Sequence, residues 1–169
     1  MCSSDLGRYY GNRVGRGDRA AWVLPGVPDL LADLHARGIA VAIATGSIRP
    51  VAEAKLLGAG LSERFPTGAF GDEARDRTEL VRTAWTRACT HHGRPFTPGR
   101  TVVIGDTPAD IAAARAAGNR VLAVATGRFG TGELGELGPD GTFADLADIA
   151  AVVEAIRGPG PAAGTPTVQ

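Results

Sequence analysis

Thr101-Val102-Val103-Ile104-Gly105-Asp106-Thr107-Pro108-Ala109-Asp110 is the stretch that decides the fold. Its apolar run does not alternate with polar residues, which suits a strand covered on both faces, as in parallel sheets. Pro108 then falls where a helix tolerates proline, in the first turn, and the pattern predicts a helix over 108–117. Two carboxylates four residues apart, Asp106 and Asp110, therefore flank the junction of a buried strand and a helix.

The same logic extends in both directions. Apolar runs at 39–44 and 121–125 predict further buried strands, and Gly68–Phe70 a short one. Helices are expected at 50–57, 78–91 and 145–156, and a short amphipathic one carries Leu30, Leu31, Leu34 and His35 before Gly38. Residues 127–141, rich in glycine, read as a long surface loop. Strand alternating with helix argues for an α/β fold with a parallel sheet, where ligands bind beyond the carboxyl ends of the strands.

At 169 residues and 44% hydrophobic content the chain has the size and apolar material of one domain. Eighteen basic and eighteen acidic side chains cancel and are interspersed, so neither nucleic acid nor an anionic membrane is an expected partner. No apolar run reaches the roughly 18 to 20 residues a bilayer span requires, and no signal-peptide pattern opens the chain, so a cytoplasmic protein is expected. Cys2 and Cys89 are too few for a disulfide framework, and Cys89 reads as helix packing.

After the first long apolar run, Thr45-Gly46-Ser47 places a hydroxyl and small-residue backbone amides just before a helix, a plausible phosphate cradle. The competing reading is a capped turn with a permissive glycine. Asp106 and Asp110 suit a hard cation such as Mg²⁺, Asp106 as direct ligand and Asp110 as its support. Their competing reading is helix capping, which explains one acid more comfortably than both. Lys55, the only lysine, reads as a surface residue of a helix, and His35, His91 and His92 as helix-end cations. The tryptophans and phenylalanines are spread singly, as core residues are.

Thr45-Gly46-Ser47 and the GDxxxD stretch Gly105 to Asp110, about 60 residues apart and each following a buried strand, together resemble the haloacid dehalogenase (HAD) superfamily, in particular its phosphoglycolate-phosphatase-like members. The resemblance covers roughly residues 25–156 and implies a three-layer Rossmann-like core. It also implies that Thr45, with Gly46 and Ser47, binds the transferring phosphoryl group, that Asp106 and Asp110 hold Mg²⁺, and that the substrate is a small phosphorylated metabolite. The family places a phosphate-stabilising Lys or Arg between the two motifs, near a helix start. Arg77 is favoured for that role over Arg75 and Arg82.

The family nucleophile is the first Asp of a DxDx(T/V) motif ending the first, central strand, with the second Asp as general acid and base. No such motif precedes Thr45; Asp5, Asp18, Asp29 and Asp33 end no apolar strand. Cys2-Ser3-Ser4-Asp5-Leu6 matches the translation of a sequencing-adapter end. The expected organisation is therefore an artefact at 1–6, a cap remnant at 7–24, a core fragment lacking its central strand and most of its cap at 25–157, and a disordered tail at 158–169. Such a fragment is expected to be inactive and to associate through its exposed strand edges. A non-catalytic phosphate- and metal-binding module of the same fold, or a mutase or dehalogenase of the superfamily, are the alternatives. The substrate and the oligomeric state are left open.

Overall fold

The structure, a computed structural model, describes residues 23–158. The expected artefact, all but the last two residues of the expected cap remnant, and residues 159–169 of the expected tail lie outside the described residues. Within them the chain runs α1 (Val27–Ala36), β1 (Ile43–Thr45), α2 (Arg49–Ala59), β2 (Gly68–Phe70), α3 (Arg77–His91), β3 (Val102–Gly105), α4 (Pro108–Ala116), β4 (Arg120–Val124), α5 (Thr131–Glu136), β5 (Gly141–Phe143) and α6 (Ile149–Arg157). It is an α/β fold with every paired strand parallel. No helix among the described residues is long and apolar enough to cross a membrane.

The strands form two sheets, β1-β2 and β3-β4-β5. In the first, Ile43 pairs with Gly68 and Thr45 with Phe70. In the second, β4 has a partner on each edge, with Gly105 opposite Ala123 and Val124 opposite Phe143. Among the described residues β1 and β3 are not paired with each other, so each keeps one unpaired edge, and Ile104 of β3 is exposed. Helices join the two sheets. α3 packs on β1 and β2, α4 on β3 and β4, and α3 and α4 pack on each other.

Burial follows the apolar runs. Val121 and Ala123 of β4 cluster with Ile111 and Ala114 of α4 and Leu134 of α5. Leu30 and Leu34 of α1 meet Val152 and Val153 of α6, with Ile39, Val41 and Phe143 at the margin. Ala69 of β2 packs beneath Leu80 and Ala84 of α3.

Two expectations need correction. The run at 39–44 pairs as a strand only from Ile43 to Thr45, because β2 offers three residues; Ile39 and Val41 spend their apolar surface on the α1–α6 cluster instead. The loop expected at 127–141 contains α5, closed by Glu133 accepting from the Gly130 N–H and held by Leu134, which is fully buried. One wholly buried leucine outweighs the poor helix propensity of Gly132 and Gly135.

Candidate active site

The loops leaving β1, β2, β3 and β4 at their carboxyl ends touch in series. Gly71, just past β2, donates its N–H to the Ser47 carbonyl past β1 at 2.9 Å. The backbones lie so close there that a side chain at Gly71 would overlap the Gly46 carbonyl. Arg77, the first residue of α3, pairs through Nε with Asp110 Oδ1 of α4 at 3.2 Å. Gly127, past β4, lies against the Asp106 carboxylate, and a side chain on it would overlap that carboxylate.

Thr45 is the last residue of β1, and its Oγ1 accepts the Ser47 N–H at 3.2 Å. That bond folds the turn and engages the Ser47 amide, while the Thr45 O–H remains available to donate. The site a Cβ would occupy on Gly46 is 3.7 Å from Arg77 Nη1, which sets the cradle beside the guanidinium. A cleft of about 200 Å³ opens here, lined by Gly46, Gly71, Ala74, Arg75 and Arg77.

Asp76 caps α3, accepting the Glu79 N–H at 2.8 Å, so Arg77 begins a helix whose amide end faces the cleft. Of the three arginines weighed from sequence, Arg77 is ion-paired to an acid of this cluster. Arg75 lines the cleft, and Arg82 donates to the Ala116 carbonyl at 2.7 Å, which fastens α3 to the end of α4.

Asp106 and Asp110 differ in their engagements. Asp110 completes a capping box with Thr107: its Oδ2 accepts the Thr107 N–H at 3.1 Å and the Thr107 hydroxyl at 2.7 Å, while Oδ1 faces Arg77. Both its oxygens are thus committed to protein donors. No donor among the described residues reaches the half-buried Asp106 carboxylate. Nor do three or more His, Cys, Asp or Glu side chains gather as a metal site among the described residues. The donor set fits a hard cation with one direct carboxylate and the rest of its shell from water and phosphate oxygens.

One contact adds to the sequence reading and one cluster escaped it. Lys55, assigned to the surface, is exposed there and also brings Nζ to 3.5 Å from Ser47 Oγ, six residues into α2. Glu73, in the loop read only for its arginines, lies between Arg49 and Arg87. Nothing in the local sequence signals the Glu73 cluster.

The carboxyl-end side of the parallel strands thus carries a hydroxyl, a guanidinium and two carboxylates on an α/β fold. The haloacid dehalogenase-like hydrolase family matches residues 12–118, and the chain belongs to that family. Among solved structures the chain is similar to a "predicted phosphoglycolate phosphatase" from Haemophilus somnus, at 24% identity and TM-score 0.68 over 88% of this chain and 63% of that one. It is similar to a beta-phosphoglucomutase from Clostridium difficile, at 17% identity and TM-score 0.70 over 88% and 62%. A third likeness is to CbbY from Rhodobacter sphaeroides in complex with phosphate, at 25% identity and TM-score 0.60 over 75% and 55%. The chain spans 58%, 59% and 63% of the lengths of three such structures, about six-tenths. No match was found among curated proteins.

Proposed function

We propose that this chain carries the phosphate- and metal-binding side of a hydrolase of small phosphomonoesters that acts through an aspartyl-phosphate, and that by itself it does not turn over. The observation that supports this most is the chain of contacts at the carboxyl ends of the strands: Gly71 to Ser47, Gly46 beside Arg77, Arg77 to Asp110, and Gly127 against Asp106. CbbY, a structural relative, was solved with phosphate.

In this reading the Thr45 hydroxyl donates to one phosphoryl oxygen and the Arg77 guanidinium to another, a charge-assisted bond of the kind that strengthens as negative charge spreads in the transition state. Asp110 holds Arg77 through Oδ1 and keeps α4 capped through Oδ2. Asp106, backed by Gly127, would hold Mg²⁺ with Asp110 behind it, and such a cation would supply charge neutralisation to the phosphate. In this reading the nucleophile is not among the described residues. Asp29 and Asp33 lie on α1, where Asp33 pairs with Arg37, and neither ends a strand. The unpaired edges of β1 and β3 are where a strand carrying that acid belongs.

Titration of the chain with inorganic phosphate, with and without Mg²⁺, tests the reading. Expected are saturable binding strengthened by Mg²⁺, a loss of about tenfold or more in Arg77→Ala, loss of the Mg²⁺ effect in Asp106→Asn, and no hydrolysis of p-nitrophenyl phosphate by any form. Phosphate affinity indifferent to Arg77 would sink the proposal.

A non-catalytic module of the same fold is favoured by one observation, the lack of a three-acid cluster among the described residues. A strand ending in DxDx(T/V), encoded upstream in the same reading frame, decides for the hydrolase, and one without those acids decides for the module. A mutase would share these groups, and the products formed once such a strand is present separate it from a phosphatase.

A further inference from the structure

Away from the groups that face phosphate, one carboxylate gathers more donors than any acid of the cleft. Glu73 Oε1 accepts from Arg49 Nη2 at 2.6 Å and from Arg87 Nη2 at 3.3 Å. Its Oε2 accepts from Arg87 Nη1 at 2.6 Å and from the Phe70 N–H at 3.1 Å. The two arginines are themselves tied down. Arg87 Nη1 donates to the Gly68 carbonyl at 2.8 Å, and the Arg49 guanidinium lies 4.1 Å from the centre of the Phe70 ring. The backbone N–H of Arg49 donates to Asp72 Oδ1 at 2.9 Å.

The topology gives this cluster its meaning. Arg49 opens α2, four residues after Thr45, and Glu73 stands four residues before Arg77. The cluster therefore bridges the loop that holds the cradle and the loop that leads to the guanidinium, at the point where Gly71 and Ser47 are already bonded. Arg87, on α3, ties the same carboxylate to the Gly68 end of β2, and the Phe70 N–H ties it to the other end. A pair of exposed ions is worth little, but a carboxylate with four donors and 22% side-chain exposure holds a fixed geometry.

We propose that Glu73 is a positioning residue: with Arg49 and Arg87 it fixes the separation of the Thr45-Gly46-Ser47 cradle from Arg77, and so tunes phosphate affinity without touching phosphate. This rests on the phosphate-binding reading above. The hydrogen bonds from Arg87 and Arg49 hold the Glu73 carboxyl at about 2, against an ordinary 4.5, so the clamp stays charged through the neutral range.

The test uses the whole chain, inorganic phosphate with Mg²⁺ as probe, and both affinity and thermal midpoint as readouts. Glu73→Gln keeps shape and removes charge, and is expected to weaken phosphate binding about three- to tenfold. Arg49→Gln, at the other end of the clamp, shifts affinity in the same direction and serves if the first variant does not fold. Leu134→Ala, remote on α5, lowers the midpoint and leaves affinity unchanged, which separates positioning from general loosening. Clamp variants that lower the midpoint but keep affinity within about twofold overturn the proposal and leave the phosphate site standing. An unaltered chain that binds no phosphate, or an Arg77→Ala chain that binds as well as the unaltered one, overturns the phosphate site and the clamp's role with it.

Discussion

Asp110 is asked to do two things at once, to close the first turn of α4 with Thr107 and to hold Arg77. Substituting either partner separates the tasks. Thr107→Ala removes one cap acceptor and one donor to Asp110, and is expected to cost about 0.5–2 kcal/mol of stability, with phosphate affinity falling only to the extent that Asp110 swings away. Asp110→Asn keeps most of the cap and loses the charge facing Arg77, so its larger effect is expected on affinity; melting curves and phosphate titrations of the two variants check the division. Gly71→Ala carries no such division, because its side chain would strike the Gly46 carbonyl, and both midpoint and affinity should fall. Glu73 gives a pH signature. Its carboxyl titrates lower in the folded chain than unfolded, so its stabilisation is complete above the ordinary value of 4.5 and is lost as pH falls toward about 2. The gap in thermal midpoint between the unaltered chain and Glu73→Gln should accordingly shrink across that window.

At the level of elements, α5 rests on one side chain. Leu134→Ala is expected to cost about 2–5 kcal/mol, read by denaturant melting, because Leu134 is fully buried against β4 and the helix has only six residues to hold itself. That helix was invisible in the sequence for the same reason: one leucine among glycines has no period, and only its tertiary pocket makes it helical. β3, β4 and α4 were legible because their apolar runs and the Thr107-Pro108 start are local signals. The strand at 39–44 was overextended, since an apolar run reports burial and not pairing. Thr45 and Asp106 were legible as residues at strand ends, and Asp110 as one in the first turn of a helix. The Glu73 cluster was not, because Arg49 and Arg87 stand 24 and 14 residues from it and meet it only through the packing of α2, β2 and α3.

For the whole molecule, the division into two sheets held together through α3 and α4 matters most. Arg82, donating across that seam to the Ala116 carbonyl, and Arg77, pairing across it with Asp110, are its polar stitches. β4 is flanked on both edges, whereas β1 and β3, which present Thr45 and Asp106, each have a neighbour on one edge among the described residues. Amide hydrogen exchange should then be slowest for Leu122 and Ala123 and faster in β1 and β3, since an amide at an open edge is released by smaller fluctuations than one enclosed between two neighbours. The chemistry-bearing residues would thus sit on strands that open readily, and pairing a further strand to those two edges should slow their exchange toward that of β4.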